Sequence, residues 1–429
     1  MFGTDSFAPD GRASDQRKQA RQILTGSYGG RTSYKKEGKS MKKFLTIFMA
    51  VLMVAALAAC GGSSSSASTS ESQPVAEGDT IKVGVLAPLT GDVSVYGIAC
   101  SNGIKMGIDE INAAGGVLGK QIEMILLDEK GDPTEAVNAY NNLYDQGIVA
   151  LIGDVTSKPC VAVAEIAKDD NMPMLTATGT AAEITTIGSN VFRTCFMDPF
   201  QGKIMATFAA DELGMKKVAV MYDSGSDYSG GLAESFKAQA EAKEMEVTAY
   251  EAYASADTDF TTILNKIIAT EPEAIFIPDY YSDVSLAISQ ARAAGYTGAL
   301  LGGDGWDGVL GAMPADKLAD ANNGYFSNHY TTSDTAEVVV NFLANYKELY
   351  GEEANAFAAL GYDSAYIMAQ AIEKAGSTDA QAIIDALAAT EIDGVTGHIT
   401  FDENGDPIKS VAVTRFVDGT AELATKITA

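Results

Sequence analysis

"IKVGVLAPL" (81–89), "ACSNGIKMGIDEINAAGG" (99–116) and "QIEMILLDE" (121–129) follow one another along the chain, and their reading decides the fold. The first and third are β-rich runs, and the second carries apolar residues at helical spacing. Strand, helix, strand within fifty residues is a βα unit, and a series of such units builds a parallel sheet. The series continues through "TEAVNAYNNLYDQG" (134–147), "IVALIGDV" (148–155), "PCVAVAEIAKDDN" (159–171) and "MPMLTAT" (172–178). After "VFRTCFMD" (191–198) the rhythm restarts with "PFQGKIMATFAADELG" (199–214) and "KVAVMYDS" (217–224), and it runs to "ALLGGDGW" (299–306). An α/β protein of two doubly wound βα lobes is therefore expected.

Beyond Trp306 the order changes. Two long helical stretches, around "EVVVNFLANYKELYG" (337–351) and "FAALGYDSAYIMAQAIEKAG" (357–376), precede a closing hairpin, "GHITFDENGDPIKSVAVTRFVDG" (397–419). No third lobe is completed. Helices that pack back on the first lobe require several crossings between lobes and leave a cleft, which is where small-molecule sites concentrate.

Open α/β sheets bind ligands at the carboxyl ends of their strands, so polar residues there carry most of the functional signal. The first lobe offers Thr156 and Ser157 in "LIGDVTSKPC", then Thr178, Gly179 and Thr180 in "LTATGTAAEIT". Each could be a simple helix cap, but two adjacent hydroxyl-bearing turns with free N–H groups make a carboxylate seat. The second lobe offers Tyr228, Tyr280 and Asp304 at equivalent strand ends. A carboxylate and phenol oxygens suit an ammonium group, with aromatic faces adding cation–π attraction. Together these residues propose a zwitterion clamped between lobes.

The amino-terminal region sets the address. In "MKKFLTIFMAVLMVAALAACGGSSSS" (41–66), Lys42 and Lys43 are a positive region, Phe44 to Leu57 an apolar region, and small residues surround a processing point. The apolar run is shorter than the roughly 20 residues a bilayer crossing needs. "LAAC" resembles the bacterial lipobox, in which the cysteine, here Cys60, becomes the lipidated first residue. The Gly/Ser-rich stretch 60–79 is then a flexible tether, residues 41–59 are the signal peptide, and residues 1–40 lie upstream of an initiator at Met41. Removing residues 1–59 takes away ten of the 30 Lys and Arg and four of the 57 Asp and Glu, leaving 370 residues with a net charge near −33. Such acidity disfavours nucleic acid as a partner and favours a soluble protein, and the length suits two domains.

Several motifs point to chemistry and fail on inspection. "GDGWDG" spells GxGxxG through Gly303, Gly305 and Gly308, but Asp304 and Asp307 would repel a pyrophosphate. "DENGDP" starts like a calcium loop at Asp402, Asn404 and Asp406, then has Pro407 where glycine is required and Val413 where a glutamate should close the shell; a strand-to-strand turn is expected. Two histidines, His329 and His398, give no zinc cluster, and without GxSxG they give no hydrolase triad; His329 is read as a surface residue and His398 as a strand residue. Cys100, Cys160 and Cys195 show no disulfide framework. No catalytic residue, metal or cofactor is expected.

From about Thr80 onward the chain resembles the leucine/isoleucine/valine-binding family of type I periplasmic binding proteins, the substrate-binding subunits of ABC importers. The resemblance is carried by "IKVGVLAPLTGDVSVYG", "GIKMGIDEINAAGGVLGKQIEMILLDEKGDPTEAV", "ALIGDVTS", "MPMLTATGT", "VFRTCFMD", "QARAAGY" and "GVTGHITFDENGDP" in that order. It implies a three-crossing fold with lobe 1 at 80–198 plus 330–396 and lobe 2 at 199–329 plus 397–429, crossing near Cys195, His329 and Gly397. It implies an amino-acid ligand with its carboxylate on Ser157 and Thr180, its amine on Asp304, Tyr280 and the main chain at Thr178, and its side chain among Tyr96, Tyr228 and Phe357. Asp304 is shorter than the family's usual glutamate, and Trp306 follows closely where smaller residues are common, which leaves the particular amino acid open. The disulfide of Gram-negative members would join Gly131 to Thr156 here and is absent. The expected protein is a monomer, lipid-anchored outside the cell membrane, handing ligand to a permease and its ATPase. A receptor for amides, urea or aromatic acids, and a sensing subunit without transport, remain as alternatives.

Overall fold

The computed structural model describes residues 80–427. The first sheet has the order β2-β1-β3-β4-β5, all parallel: β1 (Ile81–Ala87), β2 (Ile122–Asp128), β3 (Ala150–Ile152), β4 (Met174–Thr176) and β5 (Val191–Arg193). Helices α1 (Ser94–Ala113), α2 (Pro133–Asp145) and α3 (Ser157–Asp169) connect them. The local chemistry of these starts is plain at α2, where Asp132 caps the N–H groups of Thr134 and Glu135 and Pro133 takes the first turn.

The second sheet repeats the arrangement with β6 (Lys217–Asp223), β7 (Glu246–Tyr253), β8 (Ala274–Phe276), β9 (Ala299–Gly302) and β10 (Gly324–Asn328). Around it lie α4 (Asp198–Asp211), α5 (Asp227–Ala242), α6 (Thr261–Ile268), α7 (Tyr281–Ala293) and the short α8 (Val309–Ala312). The central strands β8 and β9 are wholly buried, as parallel strands covered on both faces must be.

The chain then returns. Helices α9 (Glu337–Tyr350), α10 (Ala356–Ala375) and α11 (Ala380–Ala388) cover the first sheet. α10 lies along α1, where Gly103 and Gly361 bring the two backbones so close that a methyl at either would strike the other helix. Tyr362 and Tyr366 of α10 both donate to Glu110 of α1, at 2.6 and 2.8 Å.

The last segment departs from expectation. β11 (Glu391–Gly394) and β12 (Gly397–Thr400) form their own antiparallel pair, so Gly397 lies just past a tight turn and the third crossing is not there. Asp363 of α10 accepts the N–H groups of Val395 and Thr396 at 2.8 Å each, and the carbonyl of Gly405 accepts the Arg193 N–H at 3.1 Å. "DENGDP" is a turn closed by Asp402, which accepts from Asn404 and Asp406. The strands on its two sides separate afterwards instead of forming one hairpin. The chain passes to the second sheet only after Lys409, whose buried ammonium donates to the Thr194 carbonyl at 3.0 Å. From there β13 (Val411–Val417) and β14 (Thr420–Ile427) add antiparallel to β10, giving the order β14-β13-β10-β9-β8-β6-β7.

Candidate functional site

Every polar residue singled out at a strand's carboxyl end sits in the crevice between the two sheets' carboxyl edges. Ser157 opens α3 after β3, Thr178 and Thr180 follow β4, Tyr228 opens α5 after β6, Tyr280 precedes α7 after β8, and Asp304 follows β9. A small cavity is lined by these six together with Val155, Thr156, Gly305 and Phe357. Tyr96 does not reach it. Its ring stacks on Phe357 at 4.1 Å; its hydroxyl donates to the Gly305 carbonyl and accepts the Tyr281 N–H at 2.8 Å. Tyr96 thus ties α1 of the first lobe to two segments of the second.

The first-lobe wall presents donors. Ser157 Oγ accepts the Ala181 N–H at 3.2 Å, which leaves its own hydroxyl proton to give, and the Ser157 N–H stands at the positive end of α3. The N–H groups of Thr178 and Thr180 donate to no other group among the described residues. The Thr178 hydroxyl is already committed to the Val155 carbonyl at 2.6 Å, so its main chain is what remains for a ligand. This wall is held by Arg193, a fully buried guanidinium. It donates to the carbonyls of Gly179 and Ala181 at 3.1 and 2.9 Å and pairs with Asp406 at 2.6 Å.

The second-lobe wall presents an anion. Asp304 Oδ1 accepts from the Tyr228 hydroxyl at 2.9 Å and from Gln201 Nε2 at 3.0 Å, and Oδ2 lies 3.0 Å from His329 Nε2. Gln201 cannot turn over, because its Oε1 already takes the Asp304 N–H and the Ser327 hydroxyl. His329 is not a surface residue: it is buried, stacked on Phe196 at 3.7 Å. Burial holds its imidazole below the usual histidine range despite Asp304 beside it. A neutral ring facing a carboxylate must donate from Nε2. The hydroxyls of Tyr228 and Tyr280 are pushed well above the ordinary tyrosine range, by burial first. Asp198, which shares Gln201 Nε2 at 2.9 Å, is likewise raised by burial and by the charge of Asp304. Asp304 is therefore surrounded by neutral groups, and among the described residues no lysine or arginine pairs with it.

Four residues that hold the site carried little sequence signal: Arg193, Asp198, Gln201 and His329. Arg193, Asp198 and Gln201 lie within "VFRTCFMDPFQG" and look like segment boundary and helix start. His329 follows β10, the neighbour of β9, so its place at a strand's carboxyl end was the available clue. His398 is on strand β12 and pairs with Asp393 at 2.7 Å. Among the described residues no group of His, Cys, Asp and Glu could hold a metal ion, and Cys100, Cys160 and Cys195 are free and buried.

Two sheets facing one another across a small polar cavity, anionic on one wall and rich in N–H donors on the other, define a two-lobed binding protein. The chain belongs to the periplasmic binding protein family, which matches residues 80–421. A leucine-, isoleucine-, valine-, threonine- and alanine-binding protein of Pseudomonas aeruginosa is 30% identical over 330 residues, 76% of this chain and 87% of the relative. A Leu/Ile/Val-binding protein of Rhizobium johnstonii is 32% identical over 339 residues, 78% of this chain and 90% of its own. The crystal structure of a leucine binding protein from Thermotoga maritima has a TM-score of 0.77 at 36% identity, covering 81% of this chain and 99% of that one. A branched-chain amino acid transporter substrate binding protein from Streptococcus pneumoniae, in complex with isoleucine, has a TM-score of 0.75 at 34% identity, covering 81% and 100%.

Proposed function

We propose that this protein captures a free α-amino acid with an apolar or moderately polar side chain outside the cell membrane and delivers it to an ABC permease. The observation that carries the reading is Asp304: a buried carboxylate whose donors are all neutral, facing a wall of N–H and hydroxyl donors. A buried charge without a countercharge is costly, and the ammonium of an amino acid supplies one while its carboxylate meets Ser157 and Thr180. Tyr280 and the Thr178 carbonyl complete the amine site, and Phe357 and Tyr228 give the side chain apolar surface. The names of the relatives support the branched-chain class. A neutral amide would leave Asp304 unpaired, which argues against the amide-receptor alternative. The protein performs no chemistry in this reading; closing of the lobes over the ligand is the working step, driven by contacts the ligand makes only when both walls are present.

Calorimetry with leucine, isoleucine and valine tests it. Removing one partner of a buried charge pair costs about 2–5 kcal/mol, so Asp304→Ala should weaken binding by tens-fold or more with the fold intact. Equal affinity in parent and variant, or preference of the parent for the ligand's uncharged amide analogue, sinks the zwitterion clamp.

Anchoring through a lipid on Cys60 is part of the proposal, supported by "LAAC" and the Gly/Ser tether; this segment lies outside the described residues. Two acyl chains make membrane attachment stable, so Cys60→Ser should move the protein from the membrane fraction into the high-salt wash. Retention of the variant in the membrane refutes the anchor.

A further inference from the structure

We propose that Glu129 and Asp154 share a single proton, and that this carboxyl pair is the positioning device for the ligand's carboxylate seat. Glu129 follows β2 and Asp154 follows β3; both are fully buried. Each has one oxygen occupied by a backbone donor: the Gly131 N–H reaches Glu129 Oε2 at 2.7 Å, and the Val155 N–H reaches Asp154 Oδ1 at 2.7 Å. The remaining oxygens, Glu129 Oε1 and Asp154 Oδ2, are buried with no donor, and the two carboxyls lie within hydrogen-bond reach of one another. Two ionised carboxylates have no hydrogen to place between them. One proton satisfies both orphaned oxygens at once, as a short charge-assisted bond.

Burial raises both groups above the usual carboxylate range, and the neighbouring charge raises Glu129 further. The pair therefore holds its shared proton above the usual carboxylate range. The other titratable groups around the pair are Asp128 at the end of β2, Cys100 from α1 and Cys160 from α3, the thiols pushed up by burial. Lys130, next in the chain, turns to Glu135 at 3.5 Å.

Asp154 is also the centre of the seat's backbone. Its carbonyl accepts from the Thr176 hydroxyl at 2.6 Å and the Cys160 thiol at 3.0 Å, and the next carbonyl, of Val155, accepts the Thr178 hydroxyl. The loops after β2, β3 and β4 are thus one network, and Ser157 stands three residues from the Asp154 carboxyl. Loss of the proton would set two negative charges side by side beneath the ligand carboxylate.

The inference rests on the proposed function, and the experiment separates the two. Binding of L-leucine is measured by calorimetry from pH 7 to pH 10 in the parent, in Glu129→Gln, whose carboxamide donates to Asp154 at every pH, and in Glu129→Leu, which cannot donate. The ligand's own amine titrates alike in all three, so differences between profiles are what count. The expected result is a parent that loses at least tenfold more affinity than Glu129→Gln by pH 10, with Glu129→Leu at least tenfold weaker at pH 7 and the glutamine restoring binding. Superimposed parent and Glu129→Gln profiles, or leucine and glutamine variants that bind alike, overturn the carboxyl-pair role while leaving the amino-acid reading intact. A parent that binds no amino acid at pH 7 overturns that reading, and this inference with it. If Glu129→Leu does not fold, the glutamine profile decides alone.

Discussion

Asp304 depends on His329 for one of its three donors, and the ring is fixed by its stack on Phe196. Replacing His329 with leucine leaves Asp304 Oδ2 without a partner, and a hydrogen bond to a charged group contributes about 1.5–3 kcal/mol. Ligand affinity should fall roughly tenfold or more, with His329→Gln, which keeps a donor, closer to the parent. The same ring gives a pH signature. Because burial depresses its folded pKa, the unfolded chain takes up a proton more readily as pH falls through the ordinary histidine range. That share of stability is complete above the unfolded pKa and is lost on acidification. Thermal unfolding between pH 8 and pH 5 should show a steeper acid-side loss in the parent than in His329→Gln; parallel curves would contradict the neutral assignment. Of the site, the polar residues that touch the cavity were legible because strand ends in an open sheet are predictable positions. His329 was not, because a lone histidine after a strand reads the same whether it faces solvent or a carboxylate.

The α1–α10 crossing shows how a helix pair distant in sequence is fixed by what is missing from it. Gly103 and Gly361 remove the side chains that would hold the two backbones apart, and helices pack at a distance set by the residues at their contact. Gly103→Ala should therefore force the helices apart. Overpacking of this kind typically costs about 1–3 kcal/mol, to be read in urea unfolding, whereas an alanine at Gly147, with open space around it but a positive φ of 76°, tests backbone strain alone. A loss at Gly103 no greater than at Gly147 would show that the crossing yields. The β11–β12 pair makes the opposite point. "GHITF" alternates as a strand in any reading, but its partner is β11 because Asp363 pins the intervening turn, a contact across 32 residues that local periodicity does not contain.

Across the whole molecule, the Tyr96 hydroxyl joins α1 to the Gly305 carbonyl and the Tyr281 N–H, so its two bonds exist only while the lobes are together. Interactions made in one of two states shift the balance by their full differential. Tyr96→Phe should weaken ligand binding without altering the cavity walls, and small-angle scattering should show less complete compaction at a given ligand concentration than in the parent. Identical affinity and scattering would remove Tyr96 from closure.

The sequence by itself determined the alternation of strand and helix, the restart of that rhythm after residue 198, and the placing of hydroxyls on one set of strand ends and Asp304 with its tyrosines on the other. These are properties of local period and of position along a strand, which the chain carries in contiguous residues. Only the tertiary structure decided that the third crossing waits for Lys409, that Tyr96 bridges instead of lining the cavity, and that Glu129 meets Asp154. Each of those depends on which segments are brought to van der Waals distance, and on burial, which lowers the pKa of the histidine and raises those of the two acids.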